Sequence, residues 1–179
     1  MTARDLPLPP AFTALEAWAG SGRVIRAAES DLADWRLLQR QKASLVSAGV
    51  PLLEGVVDVV SFTAEPTGYR LAGRGLDPSR PDATYAAEPE TGQVLERAAG
   101  GGRLVNSSID HWLCSLHLVG TWLAGSTAIH HWDEDPTTEE RALAELADLG
   151  ERIARLDPSA RGGDHRTHFW PAVLDRWLY

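Results

Sequence analysis

The chain has 179 residues, enough for one domain or a domain with an appendage, and its 44% hydrophobic and 23% charged residues exclude disordered and fibrous architectures. Seventeen Lys and Arg against twenty-five Asp and Glu leave a formal charge of −8, which repels a phosphate backbone and argues against nucleic acid as a direct ligand. The lone cysteine, Cys114, can neither close an internal disulfide nor build a zinc ribbon.

No apolar run approaches the ~18 to 20 residues of a membrane helix, and the opening MTARDLPLPPAF has neither the basic nor the apolar region of a secretion signal. A soluble cytoplasmic protein with no membrane partner is therefore expected. Sixteen Arg beside a single lysine, Lys42, with abundant Ala, Gly and Pro, carry the coding bias of a GC-rich bacterial genome.

In chain order, Phe12, Leu15, Trp18 and Ala19 fall at helical spacing behind a Pro7-Leu8-Pro9-Pro10 lead that cannot itself be helical. Gly20-Ser21-Gly22 ends that helix, and Val24-Ile25 forms a short apolar step. Ser30 or Asp31 caps a second predicted helix carrying Leu32, Trp35 and Leu38 or Gln39 inward and running through Leu45 and Val46. Gly49, with Pro51 two positions on, stops it.

The segment Gly55 to Thr63, GVVDVVSFT, is rich in β-branched residues and reads as a buried strand. Tyr69 and Leu71 mark another, followed by a polar loop from Gly73 to Pro81. Residues 84–88 and 93–97 flank a Pro89-Glu90-Thr91-Gly92 turn in which Gly92 supplies a positive φ. Gly100-Gly101-Gly102 interrupts before a short Arg103-Leu104-Val105 strand.

From Asn106 helices return. Ser107 or Ser108 caps a segment whose Ile109, Trp112, Leu113, Leu116, Val119, Trp122 and Leu123 cover more than one stripe, so it is expected to be largely buried. Ala128 to Trp132 is a short apolar piece of undetermined type. Thr137-Thr138-Glu139-Glu140 fits a capping box opening a helix with Leu143, Leu146, Ala147, Ile153 and Leu156 inward. A last amphipathic stretch runs from Trp170 to Leu178. Grouped strands between helices predict an α+β fold: N-terminal helices, a central, mostly antiparallel sheet, and C-terminal helices packed on it, within one domain over 1–179.

The densest set of potential ligands is His111, Cys114, His117, His130, His131, Asp133, Glu134 and Asp135. A metal needs three or four converging donors. Cys114 is most simply a small buried hydrophobe on an apolar helix, and adjacent His130 and His131 diverge in either regular structure. His165 and His168 sit in a Gly-rich loop with no cysteine pair beside them. Neither a Gly-x-Ser-x-Gly elbow nor a phosphate-cradling loop is present. Capping explains Ser107 and Ser108 better than a nucleophile does, and it turns the Asn106-Ser107-Ser108 sequon into a coincidence. No catalytic residue, metal ligand or cofactor is assigned.

Charge placement says more. Between Asp133 and Glu151 eight acidic residues face Arg141 alone, a local balance of −7. The helix dipole accounts for Glu139 and Glu140 at most. The rest is either a solvated helix face or a surface that steers a basic partner. Seven tryptophans favour the second reading: Trp18, Trp35 and Trp112 suit core faces, whereas Trp132, Trp170 or Trp177 are candidates for the partly exposed aromatic anchors of interfaces.

Three motifs, Gly49-Val50-Pro51, Thr91-Gly92-Gln93-Val94 and Val105-Asn106-Ser107-Ser108, occur in an order that resembles the SUKH superfamily, specifically its fourth immunity-protein group, from about Val24 to Leu123, with Trp170 to Leu178 as the closing helix. That resemblance implies an α+β scaffold in which Gly49, Pro51, Gly92, Asn106, Ser107 and Ser108 are structural. It also implies that the chain is an antidote that binds and blocks a cognate bacterial polymorphic toxin, often a nucleic-acid-directed enzyme. Joined to the charge pattern, it designates Trp132, Asp133, Glu134, Asp135, Glu139 and Glu140 as the toxin-facing surface. A non-inhibitory regulatory module of the same fold, and a small metal-dependent enzyme using His111, His130, His131 and Asp133, are the alternatives. The oligomeric state is left open.

Overall fold

The computed structural model describes residues 6–75, 77 and 80–177. Helix α1 (Phe12–Ala19) buries Leu15. The apolar step is strand β1 (Val24–Ile25), paired antiparallel with β2 (Val50–Pro51). The second helix does not run through as expected. A single 3-10 turn, Glu29–Leu32, is followed by open chain, and α2 begins only at Gln39 and ends at Ser47. Contacts remote in sequence hold the intervening backbone out of a helix. Trp35 stacks on Tyr69 at 4.5 Å, the Arg36 N–H donates to the Tyr69 hydroxyl at 2.6 Å, and the Arg36 carbonyl accepts from the Glu90 N–H. Neither Ser30 nor Asp31 is the N-cap; Asp31 instead accepts from the Ala28 N–H at 3.3 Å.

Strands β3 (Val59–Glu65), β4 (Gly68–Arg74), β5 (Ala83–Ala87), β6 (Val94–Ala98) and β7 (Gly101–Asn106) form one antiparallel sheet in chain order. Strand β3 starts later than expected and lies half-exposed at the sheet edge. The buried Val56 and Val57 belong to a turn before it, in which Leu53 bridges Val57. The glycine run does not interrupt the sheet: Gly101 and Gly102 pair with Ala98 and Arg97, and the hairpin turns at Ala99-Gly100. The expected Gly73 to Pro81 loop is shorter at its start, because Gly73 and Arg74 still pair in β4. Its Leu76, Pro78 and Ser79 lie outside the described residues.

One face of the sheet carries the core. Tyr85 projects from β5 between Trp112 (5.8 Å between ring centres) and Phe169 (5.5 Å), and its hydroxyl donates to the Val56 carbonyl at 2.6 Å. Trp112 belongs to α3 (Ile109–Gly125) and Phe169 to α6 (Phe169–Arg176). Between these helices lie α4 (Thr127–His130), α5 (Pro136–Leu156) and a 3-10 turn, Pro158–Ala160. The α+β architecture is the one expected. Trp170 corrects an expectation: at 1% exposure it is a core residue, not a surface anchor. Leu178, the expected end of the last helix, lies outside the described residues.

The largest apolar cluster fills the space between the sheet and α1, α2, α3, α6 and the C-terminal part of α5, which contributes Leu149 and Ile153. A second, smaller nucleus of Ala128, Ile129, Ala142 and Leu146 holds α4 and α5 together, with Trp122, Leu123, Leu174 and Trp177 packed against both clusters. No helix among the described residues is long and apolar enough to cross a membrane.

Candidate functional site

The three motifs occupy junctions of this scaffold. Gly49 follows α2 with φ +80°, and a Cβ there would lie 2.8 Å from the Ile25 carbonyl oxygen, so only glycine lets the β1–β2 pair close; Pro51 sits in β2 opposite Val24. Gly92, at φ +69°, presses so closely on the buried Gln41 amide that a Cβ would occupy the same space. Asn106, wholly buried, joins four elements. Its amide donates to Ser115 Oγ on α3 (3.1 Å) and to Asp157 Oδ2 beyond α5 (3.0 Å), and its carbonyl oxygen accepts from Trp170 Nε1 on α6 (3.0 Å). The Ser107 N–H adds a 2.7 Å bond to Asp157. Ser108 is the N-cap of α3, its Oγ accepting from the His111 N–H at 3.2 Å.

The acidic segment forms an arm on the far side of α3. Pro136 opens α5, and the cap is Asp135, not the Thr137-Thr138-Glu139-Glu140 box: Asp135 Oδ1 accepts from the N–H groups of Thr137 (2.8 Å) and Thr138 (3.0 Å). Asp135 and Pro136 together satisfy the first helical turn, leaving the threonines nothing to cap. The Thr138 hydroxyl and N–H hold the Asp135 carboxyl below the usual aspartate range. Glu145, on the opposite flank, is also spent internally, accepting from Trp122 Nε1 (3.1 Å) and Ser126 Oγ (2.5 Å). Glu134 pairs with His131 at 2.6 Å, and Asp148 approaches Arg152 at 4.0 Å.

That leaves Asp133, Glu139, Glu140 and Glu151, whose side chains make no ion pair or hydrogen bond among the described residues. All four are exposed. Trp132 is half-buried against the small nucleus, so it backs the acidic edge with part of its ring. Leu143, one turn along α5, stands 45% exposed. The arrangement thus offers carboxylates that can meet a cation without breaking an internal bond, next to apolar surface. Trp177 is half-buried against Trp122, with ring centres 5.5 Å apart.

The histidines are dispersed. His111 is buried with Nδ1 2.8 Å from Ser108 Oγ and 3.3 Å from Ser107 Oγ, and burial holds its pKa below the ordinary imidazole value. His117 Nδ1 accepts from Trp18 Nε1 at 3.0 Å. His130 Nε2 donates to the Leu123 carbonyl at 2.9 Å. Cys114 is half-buried rather than fully buried, with its thiol pushed up to about 11 by burial. Among the described residues no three of His, Cys, Asp and Glu come together as a metal would require.

Sequence reasoning missed the internal use of Glu145 and the reach of Asp157, since neither residue has a local pattern that separates it from a solvated acid. No curated protein and no solved structure matches the chain. The model of the family described as SUKH-4 immunity protein matches residues 10–176, taking in α1 and the acidic helix that the motifs alone left out. This match spans all but the extreme ends, and the chain belongs to the SUKH-4 immunity protein family.

Proposed function

We propose that this protein is the antidote of a bacterial polymorphic toxin system, binding its cognate toxin and covering the toxin's working surface without bond-making chemistry of its own. The observation that carries this reading is the family match over residues 10–176. The arm supplies the means: Trp132, Asp133, Glu134, Asp135, Glu139 and Glu140 form the toxin-facing surface. A toxin that acts on nucleic acid presents a basic groove, and a protein of charge −8 with carboxylates free of internal partners meets such a groove at an electrostatically steered rate. Leu143 and the exposed part of Trp132 give the apolar contact that slows dissociation.

Co-expression with the product of the adjacent open reading frame, scored by growth, tests the reading: rescue from a toxic product supports it, and continued killing with the antidote abundantly present, or a neighbour that is not toxic, overturns it. The combined change Asp133→Lys, Glu139→Lys and Glu140→Lys is expected to slow toxin association on the order of tenfold at low salt and far less at high salt. Association rates equal to the unaltered protein at both salt concentrations eliminate this face.

A further inference from the structure

A cavity of about 410 Å³ opens between α1, α3, α4 and the end of the β1–β2 ribbon. Its lining is largely aromatic and aliphatic. Trp18, half-buried on α1, packs on α3 at Gly120, where a Cβ would overlap its ring. Its Nε1 donates to His117 Nδ1 at 3.0 Å, which fixes the indole in place. Trp177, also half-buried and also lining the cavity, is braced by Trp122 with ring centres 5.5 Å apart. Leu52 and Leu123 add aliphatic surface. Both indoles are thus held before anything enters, which lowers the ordering cost of binding.

The rim carries one charge of each sign. The Leu52 N–H donates to the Arg23 carbonyl at 2.8 Å, so the entry to β1 and the exit from β2 run side by side and bring Arg23 and Glu54 to the same cavity. The Arg23 stem passes beside Gly20 at the end of α1. Both side chains are exposed, and neither makes an ion pair or hydrogen bond with the other or with any described residue. His130, the remaining titratable group of the lining, is already used: its Nε2 donates to the Leu123 carbonyl.

This arrangement selects by charge. An anion is drawn by Arg23 and repelled by Glu54, a cation the reverse, and an uncharged apolar molecule gains nothing from either. A zwitterion satisfies both at once. An aromatic ring is the apolar group that best matches indole walls, by offset stacking or edge contact. Apolar concavity with a few convergent polar groups is the usual composition of a small-molecule site.

We propose that this cavity binds a zwitterionic aromatic α-amino acid, its carboxylate on Arg23, its ammonium on Glu54 and its ring against Trp18 and Trp177. The site uses none of the carboxylates of the acidic arm, so it stands or falls independently of the antidote reading.

Titration of the full chain with L-phenylalanine, followed by tryptophan emission and by calorimetry, tests it. Saturable binding is expected, with a Kd on the order of 0.1 to 1 mM because both rim charges are solvated, and with a rise in Tm at saturation. Phenethylamine lacks the carboxylate, phenylpropionate lacks the ammonium and N-acetylphenylalanine amide lacks both charges; each is expected to bind about fivefold more weakly or worse. Arg23→Gln should lower phenylalanine to the affinity of phenethylamine without weakening phenethylamine, and Glu54→Gln should do the same with phenylpropionate as the reference. Both residues are exposed, so neither change endangers the fold. No saturable binding of phenylalanine, equal binding of the uncharged amide, or unchanged affinity in both variants overturns the proposal.

Discussion

The sheet and the acidic arm use the same functional group in opposite ways. Around the sheet, carboxylates are internal fasteners: Asp157 at 1% exposure accepts from Ser107 and Asn106, the wholly buried Asp110 accepts from Ser44 at 2.5 Å, and Glu96 joins two arginines. On the arm, Asp133, Glu139, Glu140 and Glu151 are exposed and have no ion-pair or hydrogen-bond partner among the described residues. A carboxylate enclosed by donors is costly to remove, because its donors are then stranded away from water. One facing solvent contributes almost nothing to folding, and its charge acts only on an approaching molecule. Composition counts these residues alike; their surroundings give them different work.

The contrast can be tested from its strongest end. Asp157→Ala strands the Ser107 N–H and the Asn106 amide and is expected to cost about 3 kcal/mol in urea unfolding; a cost under about 1 kcal/mol would mean that the Asn106 junction does not hold the helices to the sheet. Glu145→Ala, at the seam between arm and core, removes the acceptor of Trp122 and Ser126 and is expected to cost about 1 to 2 kcal/mol. A smaller loss would place Glu145 with the solvated acids.

His111 adds a pH dependence of the interior. Burial lowers its pKa, as it does that of His117, so between the ordinary imidazole value of about 6.5 and the lowered folded value the unfolded chain binds more protons. Stability therefore falls as pH drops through that window, by less than one proton per histidine. His111→Asn should reduce the slope, measured as the urea midpoint against pH, and adding His117→Asn should remove most of what remains. The smallest effect belongs to the arm: Asp133→Asn, Glu139→Gln and Glu140→Gln should each change stability by no more than about 0.5 kcal/mol. A larger loss in any of them would erase the distinction between the two regions.

Much of the architecture was legible because it depends on local signals. The helical spacing of Leu15, the glycine at 92, the serine at 108 and the apolar surface of α3 each specify an element without help from elsewhere. What stayed hidden depends on distant partners. Nothing near Trp35 announces that Tyr69 will stack on it and hold residues 33–38 out of a helix. The apolar run before Phe62 looks buried, yet its strand falls at the sheet edge because of where the chain stops adding neighbours. Trp170 has an amphipathic setting, and only the Asn106 carbonyl, far away in sequence, draws its indole N–H inside. For the candidate surface, the density of acids was plain. Which of them were already committed was only partly so: Asp135 ahead of Pro136 is a local N-cap signal that the capping-box reading passed over, whereas Glu145 differs from its neighbours only in the Trp122 and Ser126 that the fold brings to it.

The separate nucleus beneath α4 and the N-terminal half of α5 bears on how freely the proposed toxin-facing surface can vary. Ala128, Ile129, Ala142 and Leu146 pack the arm from within, so its outward positions can be exchanged singly while the sheet stays unperturbed. On the proposed reading of the arm as the toxin-facing surface, selection can retune which toxin is recognised, step by step, without each step passing through a misfolded intermediate.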